Sequence, residues 1–324
     1  MKKSLALLML LAATAGIFVT GCKKDEGPGE QPPTGVSNEQ SAIIYSATND
    51  EFVKNDEATF VDADMQPTDY GNFGLGKTDT AVTPLRWGRV ITNISREVTT
   101  EIQPGDTIAI ATVKKTFTGN LKIRARTLAG DTVVITKPFT DNATRLVIFK
   151  RVNRDTERFW LNWVPVASSL VKGGTSEPNN VVTLTKIELL APGVDTVTVD
   201  DPLAYFVRYK WLRIFTGGRK DIPELTPGAM VTVRATIVSS SADTDFVALR
   251  YGCDALHFRR NRMALVSQAD NGDGSFTRVY EKSWPVHFHR GYFHAGVEAM
   301  TKGTLFDNEA PYSVSWWGVP YRVL

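Results

Sequence analysis

Four histidines are present, His257, His287, His289 and His294, all in the last third of the chain. In His287-Phe288-His289 the two imidazoles would lie on the same face of a strand, because side chains alternate along it. If Arg290-Gly291 closes a two-residue turn, His289 stands opposite Tyr292 and His287 opposite His294. Three imidazoles on one hairpin face would suit a zinc or copper ion. The competing reading is an ordinary aromatic and polar hairpin surface, and a slip of one residue would separate the three. Arg259-Arg260-Asn261-Arg262 is a basic cluster able to grip an acidic glycan or a phosphate, or else one solvated strand face. Trp316 and Trp317 are adjacent, so on a strand they face opposite sides. One must then be exposed, or covered by a ligand, a partner or another domain. An exposed aromatic platform is a glycan-binding device. Asp270-Asn271-Gly272-Asp273-Gly274 reads as a hairpin turn, since it lacks the alternating carboxylates and terminal Glu of a calcium loop.

Signatures of catalysis are sparse. The chain has no Gly-x-Ser-x-Gly elbow, no His-Glu-x-x-His and no phosphate-cradling glycine loop ahead of a helix. A carboxylate pair need not be close in sequence, so a hydrolase stays as a third reading. The 324 residues carry a formal net charge of +2, too small to indicate nucleic acid. Only Cys22 and Cys253 occur, and Cys253 reads as a small buried hydrophobe. No cofactor is expected beyond the zinc that the histidines would hold.

Strands must position these residues. From residue 41 onward, Gly and Pro punctuate short alternating runs rich in Val, Ile, Thr and aromatic residues. Residues 106–113 alternate, with Ile108 and Ile110 on one face and Thr107, Ala109 and Ala111 on the other. In 230–237, Val231, Val233, Ala235 and Ile237 point inward. Each run follows a Pro-Gly pair, Pro104-Gly105 or Pro227-Gly228, which favours a tight turn. Trp87 and Trp211 begin similar patches, as do Ile123 and Val247, both at an offset of 124 residues. The offset implies an internal duplication. The expected fold is therefore all-β: two tandem immunoglobulin-like or fibronectin-like antiparallel sandwiches, over residues 41–198 and 199–324. Residues 41–78 have no counterpart in the second unit and are expected to wrap the first or pair at its edge.

The N-terminus is of another kind. Lys2 and Lys3 precede an apolar run from Leu5 to Phe18, which has the length and flanks of a signal peptide. Val19-Thr20-Gly21-Cys22 resembles the lipobox of bacterial lipoproteins. That resemblance implies removal of residues 1–21 and attachment of lipid to Cys22. Residues 22–40, rich in Gly, Pro, Glu and Gln, read as a flexible tether. Its charged start, Lys23-Lys24-Asp25-Glu26, resembles the surface-export signal of lipoproteins in the Bacteroidota. The residue after Cys22 is Lys23, not the aspartate that commonly retains lipoproteins in the inner membrane, so the expected location is the outer membrane, on its periplasmic or its surface-exposed face. The functional expectation is a membrane-anchored surface lipoprotein that is not an enzyme and binds a glycan or protein, through Trp316, Trp317, Arg259, Arg260 and Arg262. A structural spacer of the outer membrane is the alternative, and a metal-dependent or glycoside-acting hydrolase the third.

Overall fold

Through the middle of the chain small or apolar residues alternate with polar ones, interrupted at a few inward positions, and there they build unusually long strands. The computed structural model describes residues 33–50, 53–54, 62–67, 82–208, 223–252 and 259–324. Cys22, Trp211, Cys253 and His257 lie outside the described residues, as do residues 1–21, expected to be a signal peptide, and most of the segment 22–40 expected to be a tether. Helix α1 (Glu39–Asn49) is followed by β1 (Asp62–Pro67), β2 (Val82–Ile102), β3 (Ile108–Thr127) and β4 (Thr132–Arg151). Next come β5 (Trp163–Ser169), β6 (Val171–Thr175), β7 (Val182–Ala191), β8 (Val194–Val199) and β9 (Phe206–Arg208). The remainder is β10 (Glu224–Leu225), β11 (Met230–Ser239), β12 (Phe246–Gly252), β13 (Arg259–Arg262), β14 (Ala264–Asp270), β15 (Phe276–Pro285) and β16 (Gly291–Met300). A short helix α2 (Lys302–Phe306) and β17 (Val314–Val323) end the chain.

The fold is all-β, a sandwich of antiparallel sheets. The large sheet runs β1-β2-β3-β4-β6-β17-β16-β12-β13, with β5, β9 and β10 attached at its sides. The small sheet runs β14-β15-β11-β7-β8. Both Pro-Gly pairs make the expected turns: Asp106 N–H donates to Gln103 O and Ala229 N–H to Thr226 O, each at 3.1 Å. Gly105 and Gly228 have φ of 91° and 74°, where a side chain would be strained.

One face of β12, β16 and β17 packs against the small sheet. Leu249, Val297 and Trp317 meet Ile187, Val233, Ile237 and Trp284 in this core. The inward set foreseen in β11, Val231, Val233, Ala235 and Ile237, is buried there. The opposite face of the same three strands is also covered. The large sheet coils so that Trp87, Phe117, Leu121, Ile123 and Phe139 of β2–β4 cover Phe246, Met300, Val314 and Trp316. A third cluster lies under α1, where Ile43 and Ala47 meet Ala111, Val147, Phe149 and Trp163.

Two boundaries differ from expectation. Strand pairing crosses residue 198. β8 ends at Val199 and pairs with β7, β7 pairs with β11, and β6 pairs with β17. Residues 35–324 accordingly form one unit. The tether also stops before residue 40. Asn38 caps α1, its side chain accepting from Ser41 N–H at 2.8 Å while the Ser41 hydroxyl accepts from Asn38 N–H at 3.0 Å. The expectation for residues 41–78 holds where they are described, since β1 pairs at the edge of the large sheet.

Candidate functional site

The histidine hairpin is not formed. β15 ends at Pro285 in the small sheet, whereas β16 begins at Gly291 in the large one, so residues 286–290 cross between sheets. Val286 is held to the turn ahead of β11, accepting from Gly228 N–H at 2.8 Å and donating to Ala229 O at 2.9 Å. His294 stands opposite Gly252 and Pro320, not His287. The His287 ring lies edge-on against Phe293, with centroids 4.0 Å apart, and its Nε2 is 3.3 Å from the Tyr321 hydroxyl. Burial and the neighbouring His289 push its pKa below the ordinary imidazole value. The centroids of His287 and His289 are 6.1 Å apart. Among the described residues no group of three or more His, Cys, Asp or Glu is placed to hold a metal ion. Zinc binding by His287, His289 and His294 thus loses the register on which it rested.

The tryptophans and arginines take other roles too. Trp316 faces the core under β2–β4 and Trp317 the core between the sheets, and both are buried. They form no exposed platform, because this strand is covered on both sides. Arg260 is buried, with its guanidinium 3.4 Å from the centroid of the Trp87 ring and its Nη2 donating to Trp87 O at 3.2 Å. That contact brings β13 back beside β2 and favours a cation over an indole face. Arg262 is half-buried, 5.9 Å from the Phe246 ring centroid. The side chain of Arg259 lies outside the description. Asp270 to Gly274 makes the expected turn between β14 and β15, with Asn271 N–H donating to Ser275 O at 3.0 Å and Asp273 bound to Ser275.

Ionisable side chains inside the molecule are engaged with one another. Glu298 on β16 pairs with Arg89 of β2 and lies 3.6 Å from Arg250 of β12. Arg89 Nε also donates to the Tyr312 hydroxyl at 2.9 Å, and that hydroxyl donates to Asp141 Oδ2 at 2.7 Å. Thr175 donates to the other oxygen of Asp141 at 3.0 Å. Burial raises the Asp141 pKa to about 6, against the opposing pull of Arg89 and the hydrogen bonds. Asp245 is likewise raised to about 6 by burial, although Arg278 Nη1 lies 2.5 Å away. Lys137 is lowered to about 8 by burial, and its ammonium donates to the carbonyls of Gly303 and Ala310 at 3.0 and 2.8 Å. These groups join distant strands and are shut away from a substrate. Chemically they are internal cross-links.

The surface open to a ligand lies on the other face of β2–β4. These strands pair along their length and bury one face only. The outward rows include Ser95, Thr116 and Asn142, then Asn93, Thr118 and Thr140, and farther along Lys122 with Thr136, Arg124 with Val134 and Arg126 with Thr132. Sequence reading reached Arg124 and Arg126 only as part of a repeated patch. The usable signal was the alternation Lys122-x-Arg124-x-Arg126 around buried Ile123 and Ala125.

Comparison with protein-family models and with curated proteins finds no match. Among solved structures, one of Extended-Synaptotagmin 2, comprising its SMP domain and a pair of C2 domains, aligns over 87% of this chain and 94% of that one. The identity is 9% and the TM-score 0.12, which carries no argument.

Proposed function

We propose that this chain is a lipoprotein, held to the outer membrane through lipid on Cys22, and that its exported part is a non-catalytic binding module for a glycan or protein. The observation that carries the reading is the outer face of β2–β4, a broad sheet surface of Thr, Asn, Ser, Lys and Arg on a scaffold whose other face packs against the cores along β3 and β4. A rigid sheet presents its side chains at fixed spacing, so little ordering entropy is lost on binding. The lipobox and the Gly- and Pro-rich segment after it support anchoring at a distance from the bilayer. Among the described residues no helix is long and apolar enough to cross a membrane.

A glycan and protein array probed with the chain from residue 23 onward tests the module. Binding weakened by Thr118→Glu with Thr140→Glu is the expected result. An array without hits leaves the spacer reading in its place. Anchoring is tested separately by labelling with radioactive palmitate, which Cys22→Ala should abolish; unchanged labelling overturns it.

A further inference from the structure

Pro84 pairs with Ala125 and Arg86 with Arg124, so Leu85 is an extra residue in β2. Such a bulge re-aims the side chains beyond it. Without it Arg86 would stand opposite Ile123, whose side chain is buried in the core. With it, Trp87 takes that inward place and Arg86 joins Arg124 on the outer face. Lys122, Arg124 and Arg126 alternate along β3 and share the face. All four cations are exposed. No ion pair with a carboxylate holds any of them among the described residues.

Like charges directly opposite one another across a sheet are destabilising. The same pair of strands sets Glu97 opposite Lys114 on the outer face, and its other like-charged rung, Arg96 opposite Lys115, lies on the inner face, where the Lys115 ammonium donates to the Val53 carbonyl. At the other end, Arg86 faces Arg124, and the β4 neighbours Thr132, Val134 and Thr136 are uncharged. Asp131 lies in the turn beyond the row of Arg126 and Thr132.

We propose that this end of the face binds a linear acidic polysaccharide, through carboxylates carried along the polymer. The cations of β3 stand in line about 7 Å apart, with Arg86 about 5 Å to the side. A flat row suits a ligand with repeated charges, whereas a lone anion is better held by donors converging in a concavity. Arginine's planar fork matches a carboxylate with two parallel hydrogen bonds. Val134, 64% exposed beside Arg124, offers an apolar spot to the C–H face of a sugar ring. Single-stranded nucleic acid is disfavoured, since no aromatic side chain stands in these rows to stack on a base. This inference rests on the reading of the protein as a binding module.

The test measures binding of the chain from residue 23 onward to polygalacturonate, with neutral dextran, single-stranded DNA and phosphatidylglycerol vesicles as the other arms. Polygalacturonate binding is expected to weaken at least tenfold between low and high salt, and at least tenfold in Arg124→Glu with Arg126→Glu, with the melting temperature unchanged. Single Arg86→Ala and Lys122→Ala variants should each show a smaller loss. Absence of polygalacturonate binding, an equal affinity for DNA or vesicles, or full affinity in the double variant overturns the site. Hits on the array retained by the double variant would then show that the module reading survives without it.

Discussion

Glu298 stands between two guanidinium groups with almost no access to water. Removing one member of such a pair leaves buried charge without its counter-charge, which costs about 3–5 kcal/mol. Glu298→Ala should therefore lower stability by about that much in urea unfolding, and a loss below about 1 kcal/mol would contradict the description. Asp141 belongs to the same network and gives it a pH dependence. Its pKa is raised from an ordinary 3.8 to about 6, so the folded state holds the proton more tightly than the unfolded chain does. Stability from this group is fully present below about pH 4 and is lost as pH rises through about 6. The full loss is on the order of 2–3 kcal/mol. Asp141→Asn should flatten that part of the stability-against-pH curve, read from urea midpoints between pH 4 and 7. An identical slope in variant and parent would show that Asp141 titrates normally.

Elements differ in how far the sequence discloses them. β11 was legible because its inward positions are all apolar, from Val231 to Ile237. β3 was legible at residues 106–113 and in the patch at Ile123, and β4 went unread. Their inward rows are interrupted by Lys115, Asp141 and Arg145, which are buried and bonded to backbone, hydroxyl or phenol groups. A pattern that reads apolar as inward breaks off at each of them. Helix α1 went unread since its buried positions are only Ala42, Ile43 and Ala47, although its Asn38–Ser41 cap was there to be seen. The basic end of β3 was visible as alternation, but its bulged partner Arg86 was not, because register belongs to the pairing of two strands. The tryptophan pair was read correctly as facing opposite ways; that both sides are cores is a property of the coiled sheet. β6 shows how closely that packing is fitted. A Cβ at Gly173 would lie 2.2 Å from the Trp316 indole. Gly173→Ala must displace that ring and is expected to cost about 1–3 kcal/mol. Chemical denaturation followed by tryptophan fluorescence checks it, and unchanged stability would mean that the indole has room to move.

At the scale of the whole molecule, the question is whether residues 35–324 unfold once or twice. A duplicated chain of two sandwiches, split near residue 198, would unfold as two units of independent stability. The sheets argue otherwise. Cutting at residue 198 would take β7 and β8 from β11, β5 from β9, and β6 from β17. It would also divide both larger cores, since Ile187 and Leu189 pack with Val233 and Val297, and Trp87 and Phe117 pack with Phe246 and Trp316. The first piece would keep only the core under α1, the second would lose the β7 and β8 side of its core, and each would expose long unpaired strand edges of the kind that aggregate. The charged links point the same way, because Arg89 with Glu298 and Asp141 with Tyr312 join residues on either side of the cut. Calorimetry of the chain from residue 23 onward should therefore show one cooperative transition. Pieces ending at 198 or beginning at 199 should lack a cooperative transition when expressed separately. Two resolved transitions in the whole chain, or a piece that melts cooperatively alone, would restore the tandem arrangement that the offset of 124 residues between Ile123 and Val247 suggests.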